Sequence, residues 1–168
     1  MKKISILVFL VALMSGGCEK DDICAETTPT TPRMIITFYD FTNPTLTKNV
    51  TNLGIIGEGL NTVIVFNGVS KVQIPLDLTK DISKYQFILN YGNSNAAFVN
   101  TDYLQCDYTR NKVFISRACG YKTLFTLSDT SPFTQTDATT PDGLWMKNIT
   151  VRQPNISNED ETHLSISF

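Results

Sequence analysis

The sequence is poor in the residues that build most catalytic and metal sites. It contains one histidine, His163, and its four cysteines include no pair in CxxC spacing. Zinc sites need several Cys, His or acidic ligands, and their common signatures CxxC and HExxH do not occur. A GxSxG nucleophile elbow and a glycine-rich phosphate loop are also missing. The sequence therefore predicts no metal site and no cofactor, and it disfavours the common enzyme classes.

One enzymatic alternative stays open. His163 alternates with Leu164 and Ile166 in the last segment, and the face opposite these apolar residues is predicted to be wet. We therefore interpret His163 as an exposed polar residue, assign no catalytic residue and predict that the protein is not an enzyme. A hydrolase with two carboxylates is the alternative, because the separation of two acids is a property of the fold. The candidate acids are Asp102, Asp107 and Asp129.

Clusters of lysine and arginine are absent as well. The chain has 14 basic and 16 acidic residues. Removal of the signal peptide described below takes away Lys2 and Lys3 and no acid, so 12 basic and 16 acidic residues remain, a net charge of about −4. Because phosphate binding needs concentrated positive charge, we predict no nucleic-acid partner.

No segment shows a sustained helical repeat of apolar residues, whereas short β-branched and aromatic segments follow one another throughout the chain. The pattern predicts an all-β fold, a single β-sandwich domain of about nine short, mostly antiparallel strands, with a barrel as the alternative. The strand candidates are residues 34–41, 46–56, 62–66, 71–76, 85–91, 103–108, 113–116, 121–127, 147–153 and 162–168.

The connections carry their own expectations. Asn67-Gly68 predicts a tight hairpin between its flanking strands, because both residues tolerate positive φ. A second hairpin is expected around Arg110-Asn111. Pro75 lacks a backbone donor and therefore predicts an edge strand. Residues 128–143 are polar and predict the longest irregular loop.

The N-terminus has the organisation of an export signal. Lys2 and Lys3 precede an apolar run that is about half the length of a membrane-spanning helix, which is typical of a signal peptide. Ser15, Gly16 and Gly17 then lead to Cys18. This stretch resembles a bacterial lipobox, although Ser15 stands where leucine is typical. We predict a lipoprotein signal peptide at residues 1–17 and lipidation of Cys18. A simple secretory signal is the alternative.

The mature chain is expected to begin with a tether. Residues 19–22 (Glu-Lys-Asp-Asp) look like the acidic export tag of surface-exposed lipoproteins, and a Thr/Pro-rich stretch follows at residues 27–32. Prolines keep such a stretch extended, so it acts as a semi-rigid spacer. We therefore assign residues 18–33 to the lipidated N-terminus and tether, and residues 34–168 to the sandwich domain.

Three cysteines remain if Cys18 carries lipid, and an oxidising compartment then favours one disulfide. With a hairpin at Arg110-Asn111, Cys106 would face Ile115 on the apolar face and would be a buried free thiol. Cys106–Cys119 would need a different loop. We therefore favour a Cys24–Cys119 disulfide, which pins the tether to the end of a strand.

Two surface features are candidate ligand sites. Trp145 lies beside the long polar loop and is the best candidate for an exposed platform on which a sugar ring could stack, although an aromatic residue in a strand is more often part of the core. Residues 158–161 (Asn-Glu-Asp-Glu) group three carboxylates, which could hold calcium weakly, but a solvated acidic turn is the favoured interpretation.

Several segments together resemble an uncharacterised lipoprotein family of the Bacteroidota that is defined as a domain of unknown function. The resemblance is carried by residues 18–24, 31–40, 116–121 and 158–168. It implies a lipid anchor and a β-rich body, and it assigns no catalytic residue.

These observations favour an outer-membrane lipoprotein that faces outward, with a periplasm-facing orientation as the alternative. Its expected function is that of a non-enzymatic binding or structural module of the cell envelope. It would contact the membrane through its N-terminal lipid, and an envelope protein or a glycan would be its partner. A glycan-binding accessory lipoprotein and a hydrolase with an acidic site are the alternatives.

Overall fold

The computed structural model describes residues 23–168. The predicted signal peptide, Cys18 and the acidic segment 19–22 lie outside the described residues. The chain divides into two compact units. The larger comprises Thr31–Lys112 and Thr123–Phe168, and the smaller comprises Val113–Lys122 with the described residues up to Thr30. In the described part, no helix is long and apolar enough to cross a membrane.

The fold is all-β, as the strand pattern predicts, and it forms two open sheets in a sandwich-like arrangement. Eleven strands occur within residues 23–168, where the sequence predicts about nine. They are β1 (Met34–Tyr39), β2 (Leu53–Gly57), β3 (Ile64–Phe66), β4 (Lys71–Ile74), β5 (Ile82–Leu89), β6 (Asn100–Ser116), β7 (Gly120–Leu127), β8 (Phe133–Asp137), β9 (Asn148–Val151), β10 (Asn155–Ile156) and β11 (Leu164–Ser167).

The first sheet has the order β4-β1-β11-β9. Its central strands β1 and β11 are parallel, with Ile36 opposite Leu164 and Phe38 opposite Ile166, whereas the other pairs are antiparallel. Alternate residues of β1 face the core, yet almost every residue of both strands is buried. Strand β4 lies at an edge, as Pro75 predicts.

The second sheet has the order β10-β7-β6-β5-β2-β3, and β8 also pairs with β6. Strand β6 is 17 residues long and supplies alternate residues to the core, among them Leu104, Cys106 and Tyr108. The neighbouring strand β5 contributes Tyr85 and Phe87 to the core. Because successive residues of a strand point to opposite faces, the residues between them form the outer face of this sheet.

Two predicted hairpins are not formed as expected. Strand β6 runs straight through Arg110-Asn111, and the chain turns at residues 117–119. Arg110 is held in the strand because its Nε donates to Asp81 at 2.6 Å and its Nη1 donates to the Leu78 carbonyl at 2.6 Å. The predicted pairing of Cys106 with Ile115 is therefore wrong.

The prediction at Asn67-Gly68 is half right. Gly68 does adopt a positive φ of 66°. However, β3 pairs with β2 in one sheet and β4 pairs with β1 in the other, so the chain crosses between sheets here. Gly68 donates instead to the Val50 carbonyl at 2.9 Å. The stretch 128–143 is likewise less irregular than predicted, because it contains β8.

His163 is buried, which contradicts its predicted exposure. Its side chain is 1% exposed, and its Nδ1 accepts a hydrogen bond from the Ile35 backbone N–H at 2.8 Å. Both faces of β1 and β11 are buried, so the alternation of polar and apolar residues in the last strand does not indicate a solvent-exposed face. Desolvation by burial lowers the pKa of His163, which Glu161 and Glu159 oppose.

The burial of His163 predicts a loss of stability in mild acid. A neutral imidazole in the folded protein binds fewer protons than the exposed imidazole of the unfolded chain. The stabilisation is therefore complete above the ordinary pKa of 6.5 and is lost as the pH falls toward the depressed folded-state value. Urea unfolding across this range should show the decline.

Two variants separate titration from hydrogen bonding at this position. His163→Asn keeps an acceptor near the Ile35 N–H but does not titrate, so its stability should lack this decline. His163→Ala leaves the buried N–H without a partner and should lose about 1–3 kcal/mol at neutral pH. An identical pH dependence in the wild type and H163N would contradict the assignment.

Candidate functional site

The structure joins Cys24 to Cys119, the pairing that the sequence favours. Their sulfur atoms are 2.09 Å apart and their Cα atoms 5.0 Å apart. The bond lies within the smaller unit and spans 95 residues of chain. The chain-entropy model gives a loop of this length a stabilisation of about 4–5 kcal/mol. The disulfide therefore fixes the beginning of the described chain to the turn between β6 and β7.

Cys106 lies in the core, as predicted, and its thiol is free. Burial raises its pKa to about 12. A thiol is nucleophilic only as its thiolate, so this environment keeps Cys106 in its inert form at neutral pH. Its role in the structure is to fill the core on the inner face of β6.

Trp145 is not the exposed platform that the sequence predicts. It is 5% exposed, and its Nε1 donates to the Phe87 carbonyl at 3.0 Å. Its ring packs edge-on against Phe168 at 5.5 Å between centroids, and it also contacts Phe38. Proximity to a polar loop did not mark exposure, because the indole is used in core packing.

The candidate acids of a hydrolase are not brought together. Asp102 lies on the inner face of β6 and is fully buried, whereas Asp107 lies on the outer face beside Gln105. Asp129 is exposed in the connection between β7 and β8. Glu159 of the acidic turn is paired with Arg33 at 2.7 Å, and the described residues contain no metal-ligating cluster.

The outer face of the second sheet carries a cleft of about 390 Å³. This volume is within the range of about 300–1,000 Å³ that is typical of small-molecule sites. Its walls come from β5, β6 and β8 and from the turn after β2. The side chains on its surface are those of Glu58, Lys84, Gln86, Tyr103, Gln105, Thr134 and Thr136.

Strand register arranges these side chains in two cross-strand rows. Gln86 lies opposite Tyr103, which lies opposite Thr136. In the next row Gln105 lies between Lys84 and Thr134. Directly opposed side chains are about 4.5–5.5 Å apart, so each row is a continuous polar strip across three strands.

The cleft combines free hydrogen-bonding groups with little net charge. Lys84 Nζ lies 3.1 Å from Glu58 Oε1. In the described chain, these are the only two charged side chains that line the cleft, so their charges cancel. The Gln105 amide donates to Asp107. In contrast, the side chains of Gln86, Tyr103 and Thr136 have no hydrogen-bond partner among the described residues. Amide, phenol and hydroxyl groups are thus available to a ligand.

Sequence reasoning did not single out this cleft. Tyr103 was one of several strand aromatics, and the alternation of residues 103–108 does indicate that Tyr103 and Gln105 share a face. The pairing of β6 with both β5 and β8 was not visible, because β8 lies within the stretch that was predicted to be irregular.

A family model matches residues 52–168, which is most of the chain. The chain belongs to DUF6452, a family of unknown function. No curated protein and no solved structure matches the chain. The part matched to DUF6452 contains β2 to β11 and the whole cleft, whereas β1 and Cys24 precede it.

Within the DUF6452 part, Asp102 is the most unusual residue. Its carboxylate accepts hydrogen bonds from the backbone N–H groups of Trp145 at 3.3 Å and Met146 at 2.9 Å, and from the Gln135 amide at 2.8 Å. Desolvation by burial raises its pKa, although these three donors oppose the rise. Asp102 therefore fastens the segment before β9 to the centre of the second sheet.

Removal of the Asp102 carboxylate should destabilise the DUF6452 fold strongly. Asp102→Ala leaves the buried N–H groups of Trp145 and Met146 without an acceptor, whereas the Gln135 amide keeps the Met146 carbonyl. Each buried unsatisfied group costs about 1–3 kcal/mol, so we expect a loss of about 2 kcal/mol or more. Urea unfolding measures the change. Asp102→Asn retains one acceptor oxygen and should lose less. Equal stability of wild type and D102A would contradict this role.

Proposed function

We propose that the protein is a lipid-anchored lipoprotein of the outer membrane that faces outward and acts as a non-enzymatic binding module of the cell envelope. The observation that carries the proposal is the Cys24–Cys119 disulfide, because disulfides persist in exported proteins and are rare in the cytosol. It agrees with the sequence signal for export that precedes Cys18. A periplasm-facing orientation is the alternative.

The anchor follows from the sequence before the described residues. Cys18 follows the small residues Ser15, Gly16 and Gly17, which suit cleavage by a signal peptidase. Lipoproteins of this type carry two or three acyl chains. Each buried methylene contributes about 0.8 kcal/mol, so one chain binds a membrane reversibly and two or more hold firmly.

Three contacts support binding over catalysis. His163 is engaged by the Ile35 N–H, Cys106 is buried as a neutral thiol, and Asp102 accepts three hydrogen bonds inside the core. The residues best suited to acid–base or nucleophilic chemistry therefore stabilise the fold. The open cleft on the outer face of the second sheet is in turn where we place the binding site, because its side chains offer hydrogen-bonding groups.

The anchor is tested by substitution of Cys18. In cells, Cys18→Ala should move the protein from the membrane fraction to the soluble fraction, because the acyl chains have no other attachment site. Mass spectrometry of the native N-terminal peptide should find Cys18 modified. Cys106→Ala is the matched control and should stay in the membrane fraction. An unmodified thiol at Cys18 would overturn the proposed anchor.

A glycan is the ligand that the cleft favours. Sugar rings are recognised by an aromatic face together with hydrogen bonds from amides and hydroxyls, and the row of Gln86, Tyr103 and Thr136 offers these groups. The paired charges of Glu58 and Lys84 leave the cleft close to neutral, which favours an uncharged saccharide. We therefore propose Tyr103, instead of the buried Trp145, as the aromatic platform.

The glycan proposal predicts that binding depends on Tyr103. A panel of neutral oligosaccharides should yield a ligand, and Tyr103→Ala should weaken it about tenfold, because an aromatic contact contributes about 0.5–1.5 kcal/mol beyond its buried area. Calorimetric titration measures the dissociation constants. Tyr121→Ala is the matched control, since this tyrosine is 67% exposed and lies outside the cleft.

The outcome distinguishes binding of a glycan in the cleft from binding of an envelope protein. Binding of only charged glycans, or a neutral ligand that Y103A retains at full strength, would count against the cleft as the site. An envelope protein would then be the favoured partner, and a pull-down with the lipidated protein would identify it.

A further inference from the structure

The smaller unit presents two exposed aromatic rings side by side. Phe114 near the end of β6 is 55% exposed, and Tyr121 at the start of β7 is 67% exposed. Their ring centroids are 5.3 Å apart with an interplanar angle of 65°. Burial of large rings is strongly favourable in water, so an exposed aromatic pair on a hairpin indicates a contact surface.

The disulfide fixes this hairpin close to the proposed anchor. Cys119 lies in the turn between Phe114 and Tyr121, and its Cα is 5.0 Å from that of Cys24. Cys24 is six residues after Cys18. At most about 3.3–3.6 Å per residue, this segment spans no more than roughly 22 Å. Whatever path residues 19–23 take, the turn remains within about 27 Å of the lipidated residue.

We propose that Phe114 and Tyr121 form an interfacial contact with the bilayer in which Cys18 is anchored. The occupant of this surface is the lipid headgroup region of the same membrane. The inference rests on the lipid anchor of the proposed function, and it adds that the hairpin, in addition to the acyl chains, touches the membrane. The lipid anchor and the contact of the hairpin with the membrane can therefore be disproved independently of each other.

The chemistry of the hairpin suits this location. Aromatic rings with a polar edge, tyrosine in particular, concentrate at membrane–water interfaces. Residues 110–122 contain no acid, and in sequence Arg117 lies between the two rings while Lys122 follows Tyr121. Basic residues near a membrane surface are attracted by anionic lipid headgroups. The sequence also has the acids Glu19, Asp21 and Asp22 after Cys18, so the rings carry the inference and the basic residues assist it.

The test measures contact of position 114 with lipid in the full-length lipidated protein. Phe114→Trp places a fluorophore in the ring pair, and Phe98→Trp is the matched control, because Phe98 is 61% exposed in a 3₁₀ turn of the larger unit. The proteins are reconstituted into vesicles of phosphatidylethanolamine and phosphatidylglycerol whose acyl chains are brominated. The wild-type protein gives the background fluorescence, because Trp145 is buried and is present in every variant.

The expected result is quenching and a shift to shorter wavelength for F114W, and neither change for F98W. The difference between F114W and F98W should disappear when Cys24→Ala and Cys119→Ala remove the disulfide. Persistence of the difference would overturn the role of the disulfide. A shift without quenching would place the ring against protein and overturn the inference. Lipid on Cys18 with equal quenching of both variants would overturn the membrane contact alone, whereas absence of lipid on Cys18 would overturn the anchor as well.

Discussion

The larger unit depends on the parallel pairing of β1 with β11, which brings the first and last strands of the described residues together at the centre of one sheet. Both strands are buried on both faces, so nearly every side chain of β1 and β11 is removed from water when the two strands pair. His163 reinforces the pairing from the side chain, because its Nδ1 accepts from Ile35 while its own N–H donates to the Ile35 carbonyl. Folding of this sheet therefore requires nearly the whole chain.

The second sheet shows how one long strand serves the core with one face and the proposed binding cleft with the other. The inner residues of β6 complete the core and, through Asp102, hold the segment that carries Trp145 and Met146. The outer residues of the same strand, Tyr103 and Gln105, line the cleft. Because the two sets alternate, substitutions on the outer face can change binding without opening a cavity in the core. Most of the distinctive polar chemistry of the core is structural, which is why the cleft is the favoured site.

The smaller unit depends on a covalent constraint. A hairpin of ten residues has little core of its own, and the Cys24–Cys119 bond restricts its unfolded states through a loop of 95 residues. The same bond determines how far the turn can lie from the proposed lipid. A disulfide at this place therefore has two consequences, one for stability and one for position at a membrane.

The sequence by itself determined the all-β class, the positions of most strands, the edge position of β4 and the choice of cysteines. These follow from local composition, from the period of two along a strand, and from the need to use the cysteine on the tether. Only the tertiary structure decided that His163 and Trp145 are buried, that Asn67-Gly68 crosses between sheets, and that β8 completes the cleft. Alternation tells which residues share a face, but whether that face is covered depends on segments far away in the chain. Pairing between distant strands has no local signal, so the candidate site became visible only when three strands were placed side by side.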